Sequence, residues 1–136
     1  MESTLIDAGP LIALFDRDDK YHRKIIDFLK GESAHLVTTW PVLTEVTHML
    51  DFSVEAQLDF LRWVHRGGVE IHQLTVHDLE RIIALTETYR DRPMDLADAS
   101  LIVTAEHRGI EEIISIDRDF DIYRTHDQNY VRNVFR

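Results

Sequence analysis

The chain of 136 residues contains no cysteine, which excludes a disulfide framework and any thiolate metal site and makes a reducing cytoplasm the default location. Long apolar runs are missing too. No stretch approaches the roughly 20 apolar residues of a membrane span, and Met1-Glu2 opens the chain without the positive segment of a secretion signal, so a soluble protein is expected. Bases are scarce: 15 Lys and Arg face 25 Asp and Glu, for a net charge of −10. That balance excludes nonspecific nucleic-acid binding by phosphate neutralisation alone. It leaves two routes to a polyanion, through divalent cations held by clustered carboxylates or through a basic partner on an acidic surface. Low-complexity segments and internal repeats are absent, and 44% hydrophobic content over this length fits one domain, residues 1–136.

The stretch Thr4 to Leu14, TLIDAGPLIAL, organises what is present. A short apolar run reaches Asp7, turns at Gly9-Pro10 and resumes an apolar pattern. A buried strand ending in an acid puts charge at the carboxyl edge of a sheet, where open α/β sheets place ligands. An acid before a helix also serves as a cap, and both readings stand at this point.

Further along, Tyr21, Ile25, Phe28 and Leu29 give a helix that Gly31 closes, and Leu36 to Thr39 gives a second strand. Pro41 opens a helix whose apolar face is Val42, Leu43, Val46, Met49 and Leu50, with Glu45 beside that stripe. Ser53 caps a helix carrying Leu58, Leu61 and Val64, which Gly67-Gly68 stops. Val69 to Leu74 alternates as a strand, and Thr75 with Asp78 forms a capping pattern for the next helix. Asp91-Arg92-Pro93 breaks the chain. A helix starting at Met94 or Asp95 runs to Gly109, and Ile113 to Ile116 forms a fourth strand stopping at Asp117. The tail from Asp121 has only Tyr130, Val131, Val134 and Phe135 as apolar anchors. Helices between successive strands predict a three-layer α/β/α domain with a mainly parallel sheet.

On that frame Asp7 and Asp117 emerge at one sheet edge, and Asp95 and Asp98 share a face in the first turn of a helix. Asp95 also suits a cap. Asp98, set among small and apolar residues in DLADASLIVTA, is harder to explain as one. Carboxylates gathered at one edge raise each other's pKa. A hard cation such as Mg²⁺ or Mn²⁺ relieves that repulsion, acidifies a bound water and stabilises charge on a phosphoryl oxygen.

The order Asp7 in LIDAGPLIAL, Glu45 in TTWPVLTEVTHML, Asp98 in MDLADASLIVTAEHRG and Asp117 in ISIDRDFDIYR resembles PIN-domain ribonucleases, and among them the VapC toxins of toxin–antitoxin pairs. The resemblance runs from residue 4 to about 124. It implies that Asp7, Glu45 and Asp98 hold Mg²⁺ or Mn²⁺, with Asp117 as the fourth acid, Asp95 and Asp119 as auxiliary acids and Ser115 as a hydrogen-bond donor to the site. Ala8 departs from the Ser or Thr common after the first acid, which removes one supporting hydroxyl. The implied reaction is metal-assisted hydrolysis of RNA by an in-line water, leaving a 5′-phosphate. The implied partners are an RNA substrate, a cognate antitoxin and a second copy of the chain bound through the early helices.

Arg118, Arg124 and Arg92 flank the acidic motifs as candidates for phosphate contact, with surface ion pairs as the alternative use of each. The eight histidines include no H-E-x-x-H, which disfavours a histidine metal site, and only His48, one turn from Glu45, is placed to matter. Trp40 and Trp63 read as core or interface aromatics. Two other readings remain to be set against the nuclease. One is a PIN-like module without catalysis that binds protein or RNA. The other is a response-regulator receiver, which requires a strand-end lysine and fails because no lysine follows Lys30.

Overall fold

Thr4, Leu5 and Ile6 are apolar or β-branched residues of the kind that fill a sheet with both faces covered, and each is almost wholly buried. The computed structural model describes residues 2–92 and 94–135. Pro93, the proline of the expected break, lies outside them. The opening strand β1 (Ser3–Ile6) leads to α1 (Ala8–Phe15) and α2 (His22–Lys30), and β2 (His35–Thr38) to α3 (Trp40–Met49) and α4 (Val54–His65). Next come β3 (Glu70–Ile71), a 3₁₀ turn at Val76–Asp78, α5 (Leu79–Thr88), α6 (Leu96–Arg108) and β4 (Glu112–Ile114). A second 3₁₀ turn at Asp119–Asp121 precedes β5 (Arg132–Asn133).

The five strands form one sheet in the order β3-β2-β1-β4-β5, every pairing parallel, between layers of helices. Leu5 pairs with Val37 on one side and Ile113 on the other. The chain first builds outward from β1 through β2 to β3, then returns to place β4 on the opposite side of β1. Strand order therefore reverses between β1 and β4, and their carboxyl ends open a crevice there.

Local signals set the helix ends. The Ser53 hydroxyl accepts from the Ala56 N–H at 3.1 Å, Thr75 and Asp78 form a capping box, and Gly109 closes α6 in the left-handed conformation at φ 62°. Four expectations change. Gly9 and Pro10 lie inside the first turn of α1, where proline loses no helical hydrogen bond because the first N–H groups have no partner. On α3, Met49 is exposed and Leu50 is buried. On α4 the buried side chain is Phe60, with Trp63 and Val64 half-buried, while Leu61 faces solvent. Phe60 and Trp63 both pack on Phe15, whose ring lies 5.5 Å from each. The third strand shrinks to Glu70–Ile71, an edge whose outer residue Glu70 is taken by Arg108 and His35.

The tail supplies the strand that apolar patterning did not predict. Arg132 N–H donates to Glu111 O at 2.8 Å and Val134 N–H to Ile113 O at 2.9 Å. Between them the buried Asn133 amide donates to Ser115 O at 3.0 Å, while its Oδ1 accepts from Ser115 N–H at 3.2 Å and Phe135 N–H at 3.1 Å. This amide fixes the backbone that follows β4. Asn133→Ala strands three buried polar groups and should lower unfolding free energy by about 2–3 kcal/mol, read as an earlier midpoint in urea denaturation.

Candidate active site

The Asp7 N–H donates to Ile114 O at 3.0 Å, so Asp7 extends the β1–β4 ladder before the chain turns into α1. Its carboxyl is 5% exposed. Oδ1 accepts from Ala8 N–H at 2.8 Å, capping α1, and Oδ2 accepts from the Ser115 hydroxyl at 3.1 Å. One oxygen thus caps α1, and the residue stands at the carboxyl end of β1. Ser115 does what was expected of it, and the Ala8 backbone donates where a hydroxyl side chain was missing. Burial, with the charges of Asp117 and Glu45, raises Asp7 from its ordinary 3.8 to about 7 despite those two bonds.

Glu45 sits half-exposed on α3 beside Val42, Leu43 and Val46. Burial and the charges of Asp95 and Asp117 raise its pKa. Hydroxyls fix its helix against the rest of the site. Ser100 Oγ donates to Ala97 O at 2.7 Å, which spends its one hydrogen, so at 2.6 Å the buried Thr39 hydroxyl donates to Ser100. Thr38 Oγ1 donates to Ile6 O at 2.9 Å and ties the end of β2 to that of β1.

Asp95 is the N-cap of α6, its Oδ1 accepting from Asp98 N–H at 2.8 Å. Asp98 completes the box with a long 3.5 Å bond from Asp95 N–H to Oδ2, the atom that also accepts from the Tyr123 hydroxyl at 3.3 Å. Burial, then the charges of Asp95, Asp7 and Asp117, raise Asp98 to about 8. The Tyr123 phenol is pushed above its ordinary range by its own burial and by Asp98 and Asp119. Asp117 corrects an expectation, because β4 ends at Ile114 and Asp117 lies in the following bend, more exposed than Asp7. Its Oδ1 accepts from Asp119 N–H at 3.0 Å. Partial burial and the charges of Asp119 and Asp95 raise its pKa.

Asp7, Glu45, Asp95, Asp98 and Asp117 thus act electrostatically on one another, and among the described residues no Lys, Arg or His forms an ion pair with any of them. Within the same residues no three acids or imidazoles stand close enough to close around one ion. The set is an open, oxygen-only arrangement. Such a donor set fits a hard divalent cation that keeps part of its water shell.

The arginines divide. Arg124 is committed elsewhere: its Nη1 donates to the carbonyls of Asp121, Ile122 and Tyr123 at 3.0, 2.9 and 3.2 Å, and its guanidinium lies 4.7 Å from the Tyr130 ring centroid. Arg118 and Arg92 are exposed and make no ion pair among the described residues. His48 is exposed on α3. His72 and His107 instead meet at 3.0 Å, with His107 on Asp78 at 2.9 Å. Sequence reasoning missed Thr39, Ser100 and Tyr123, which lie inside the acidic segments without a signal of their own, and Asn133, which lies outside them; each touches the acids or their supports only in the fold.

An all-parallel α/β sheet with unpaired carboxylates at its switch point defines a class of acid-edged α/β domain. The chain belongs to the PIN-domain family, whose family model matches residues 4–125. Ribonuclease VapC26 of Mycobacterium tuberculosis is 25% identical over 116 residues, which are 84% of this chain and 86% of that protein. The crystal structure of Mycobacterium tuberculosis VapC20, described as a sarcin–ricin loop cleaving toxin, superposes with a TM-score of 0.79 at 18% identity, over 87% of this chain and 92% of that one. A toxin–antitoxin complex from Klebsiella pneumoniae gives a TM-score of 0.62 at 22% identity, over 84% of this chain and 86% of that one.

Asp7 and Asp98 hold protons more tightly folded than unfolded, so their contribution is full below 3.8 and is lost as pH rises through about 7 and about 8. His72, whose pKa is lowered, works in the opposite sense below 6.5, which leaves pH 6.5 to 8 as the window in which the acids act alone. Melting of the metal-free protein should move to lower temperature across that window, and the Asp7→Asn/Asp98→Asn double variant should flatten the dependence.

Proposed function

We propose that this protein is a metal-dependent endoribonuclease, the toxin of a type II toxin–antitoxin module. The observation that carries the reading is the uncompensated acid set at the switch point of a PIN domain, with Asp7 and Asp98 both held far above ordinary carboxyl values. A relative described as a ribonuclease, and structural neighbours described as a sarcin–ricin loop cleaving toxin and a toxin–antitoxin complex, support the substrate and the partner.

Asp7, Glu45, Asp98 and Asp117 are the residues to hold Mg²⁺ or Mn²⁺, with Asp95 beside them. When bound, the cation supplies charge stabilisation at the phosphoryl group and an acidified water. The protein does the rest by placement. Ser115 and the Ala8 N–H hold Asp7 rigid at the end of β1, the Thr39–Ser100 bond fixes α3 against α6, and the Asp95 cap sets the first turn on which Asp98 stands. A proton held on Asp7 or Asp98 near neutrality would have to leave for either carboxylate to hold a cation. Arg118 and Arg92 remain the residues for phosphate contact.

Action on RNA would put the protein in the cytoplasm. Among the described residues no helix is long and apolar enough to cross a membrane. Trp40 and Met49 on α3, with Phe52 and Val54 after it, are large exposed apolar side chains suited to a homodimer contact through the earlier helices. A PIN-like binding module without catalysis is the competing reading, and its expected loss of acids is not seen at positions 7, 45, 98 and 117.

Purified protein should cut RNA with Mn²⁺ or Mg²⁺ and stop when chelator is added. Asp98→Asn should lose more than about 100-fold in cleavage rate, beyond what an outer-sphere partner costs. Induction should arrest growth, with relief by the co-expressed antitoxin. Intact protein that neither cleaves RNA nor gains thermal stability from Mn²⁺ would favour the silent module.

A further inference from the structure

We propose that Tyr123 is a positioning residue for Asp98, its hydroxyl orienting the carboxylate so that one oxygen is held by the protein and the other is presented to the cation. The inference rests on the nuclease reading above and adds a residue that is not one of the acids.

Tyr123 is 1% exposed, and its ring is packed edge-on against Tyr89 and Phe120 at 5.0 and 5.4 Å. A phenylalanine fills that space equally well, so packing alone does not call for tyrosine. What tyrosine adds is one polar atom, and that atom donates to Asp98 Oδ2 at 3.3 Å. The neighbouring Tyr89 hydroxyl is used differently, accepting from the Arg124 N–H at 2.8 Å. The other bond to Asp98, from Asp95 N–H at 3.5 Å, also ends on Oδ2 and is as long for an N–H donor as 3.3 Å is for a hydroxyl. Among the described residues Oδ1 therefore has no hydrogen-bond partner. The terminal torsion of an aspartate is broad, so a carboxyl held only by a 3.5 Å bond would rotate and present its free oxygen in many directions.

The chemical type of the donor matters as much as its place. Lysine or arginine would fix the carboxylate and cancel the charge that a divalent ion requires. A neutral phenol fixes it and leaves the charge in place. Tyr123 also hangs on the Asp117 segment, since its N–H donates to Asp119 O at 3.2 Å. Its hydroxyl thereby ties the loop bearing Asp117 to the helix bearing Asp98.

The test is calorimetric titration of wild type, Tyr123→Phe, Tyr89→Phe and Asp98→Asn with Mn²⁺, alongside metal-free melting and RNA cleavage across Mn²⁺ concentrations. Tyr123→Phe should keep its metal-free melting temperature and bind Mn²⁺ roughly 10-fold more weakly, as loss of an outer-sphere partner does. Its kcat should fall at low Mn²⁺ and recover at high Mn²⁺, with KM for RNA unchanged, while Tyr89→Phe binds Mn²⁺ as wild type does. Wild-type Mn²⁺ affinity in Tyr123→Phe overturns the inference. So does an equal loss in Tyr89→Phe, which would assign the effect to aromatic packing, or a metal-free Tyr123→Phe that fails to fold, which would make the hydroxyl structural. If wild type and Asp98→Asn bind Mn²⁺ alike, the nuclease site itself falls, an outcome distinct from failure at Tyr123 alone.

Discussion

A carboxyl group buried at the end of a central strand is the constraint on which the rest of the site depends. Asp7 reaches that position because β1 lies between β2 and β4, so the backbone beneath it is paired on both sides and cannot shift without breaking the sheet. Leaving such a group without bonds costs several kcal/mol. The protein answers with the Ala8 N–H on one oxygen and the Ser115 hydroxyl on the other. Satisfying Ser115 in turn requires the Asn133 amide, and Asn133 requires β5. The tail, which looks dispensable from its polarity, is thereby drawn into the support of a residue near the other end of the chain.

The supports share one chemical character. Ser115, Thr38, Thr39, Ser100, Tyr123 and the capping N–H groups are all neutral donors. Two guanidinium groups are spent elsewhere, Arg81 on Glu106 and Arg108 on Glu70. Their carboxylate partners are held below the usual range by those guanidinium groups, while the acids at the crevice are held above it. One chain thus keeps two populations of carboxylates, one paired with guanidinium groups and one left without a cationic partner among the described residues. Strain of this kind at a functional edge is repaid by the rest of the fold.

Much of this was legible in the order of residues. TLIDAG, with an apolar run ending in an acid, announced both the strand and the edge, and Ser53, Thr75, Asp95 and Gly109 marked helix ends because capping chemistry is local. The four acids were legible because each stands in a segment of distinctive apolar context. The fifth strand was not, since its central residue is a polar Asn133 whose burial makes sense only once Ser115 lies beside it. Asp117 was placed at a strand end because Ile116 looks like strand, yet pairing stops at Ile114. Arg124 illustrates the same limit. Its neighbours in sequence are acidic motifs, but its guanidinium faces the carbonyls of its own turn. Periodicity and caps are written within a few residues, whereas the use of a single long side chain is decided by what folding brings to it.

The bond between Asp7 and Ser115 joins positions 108 apart. Translation at about 5–20 residues per second separates the emergence of those two residues by roughly 5 to 20 seconds. Over that interval a growing chain carries Asp7, and later Glu45 and Asp98, with neither the Asp117 bend nor the Asn133 lock yet made. Asp117 follows most of the chain in order of synthesis, so the four acids are present together only in a nearly finished chain. Time as well as charge therefore separates the making of this protein from the assembly of its site.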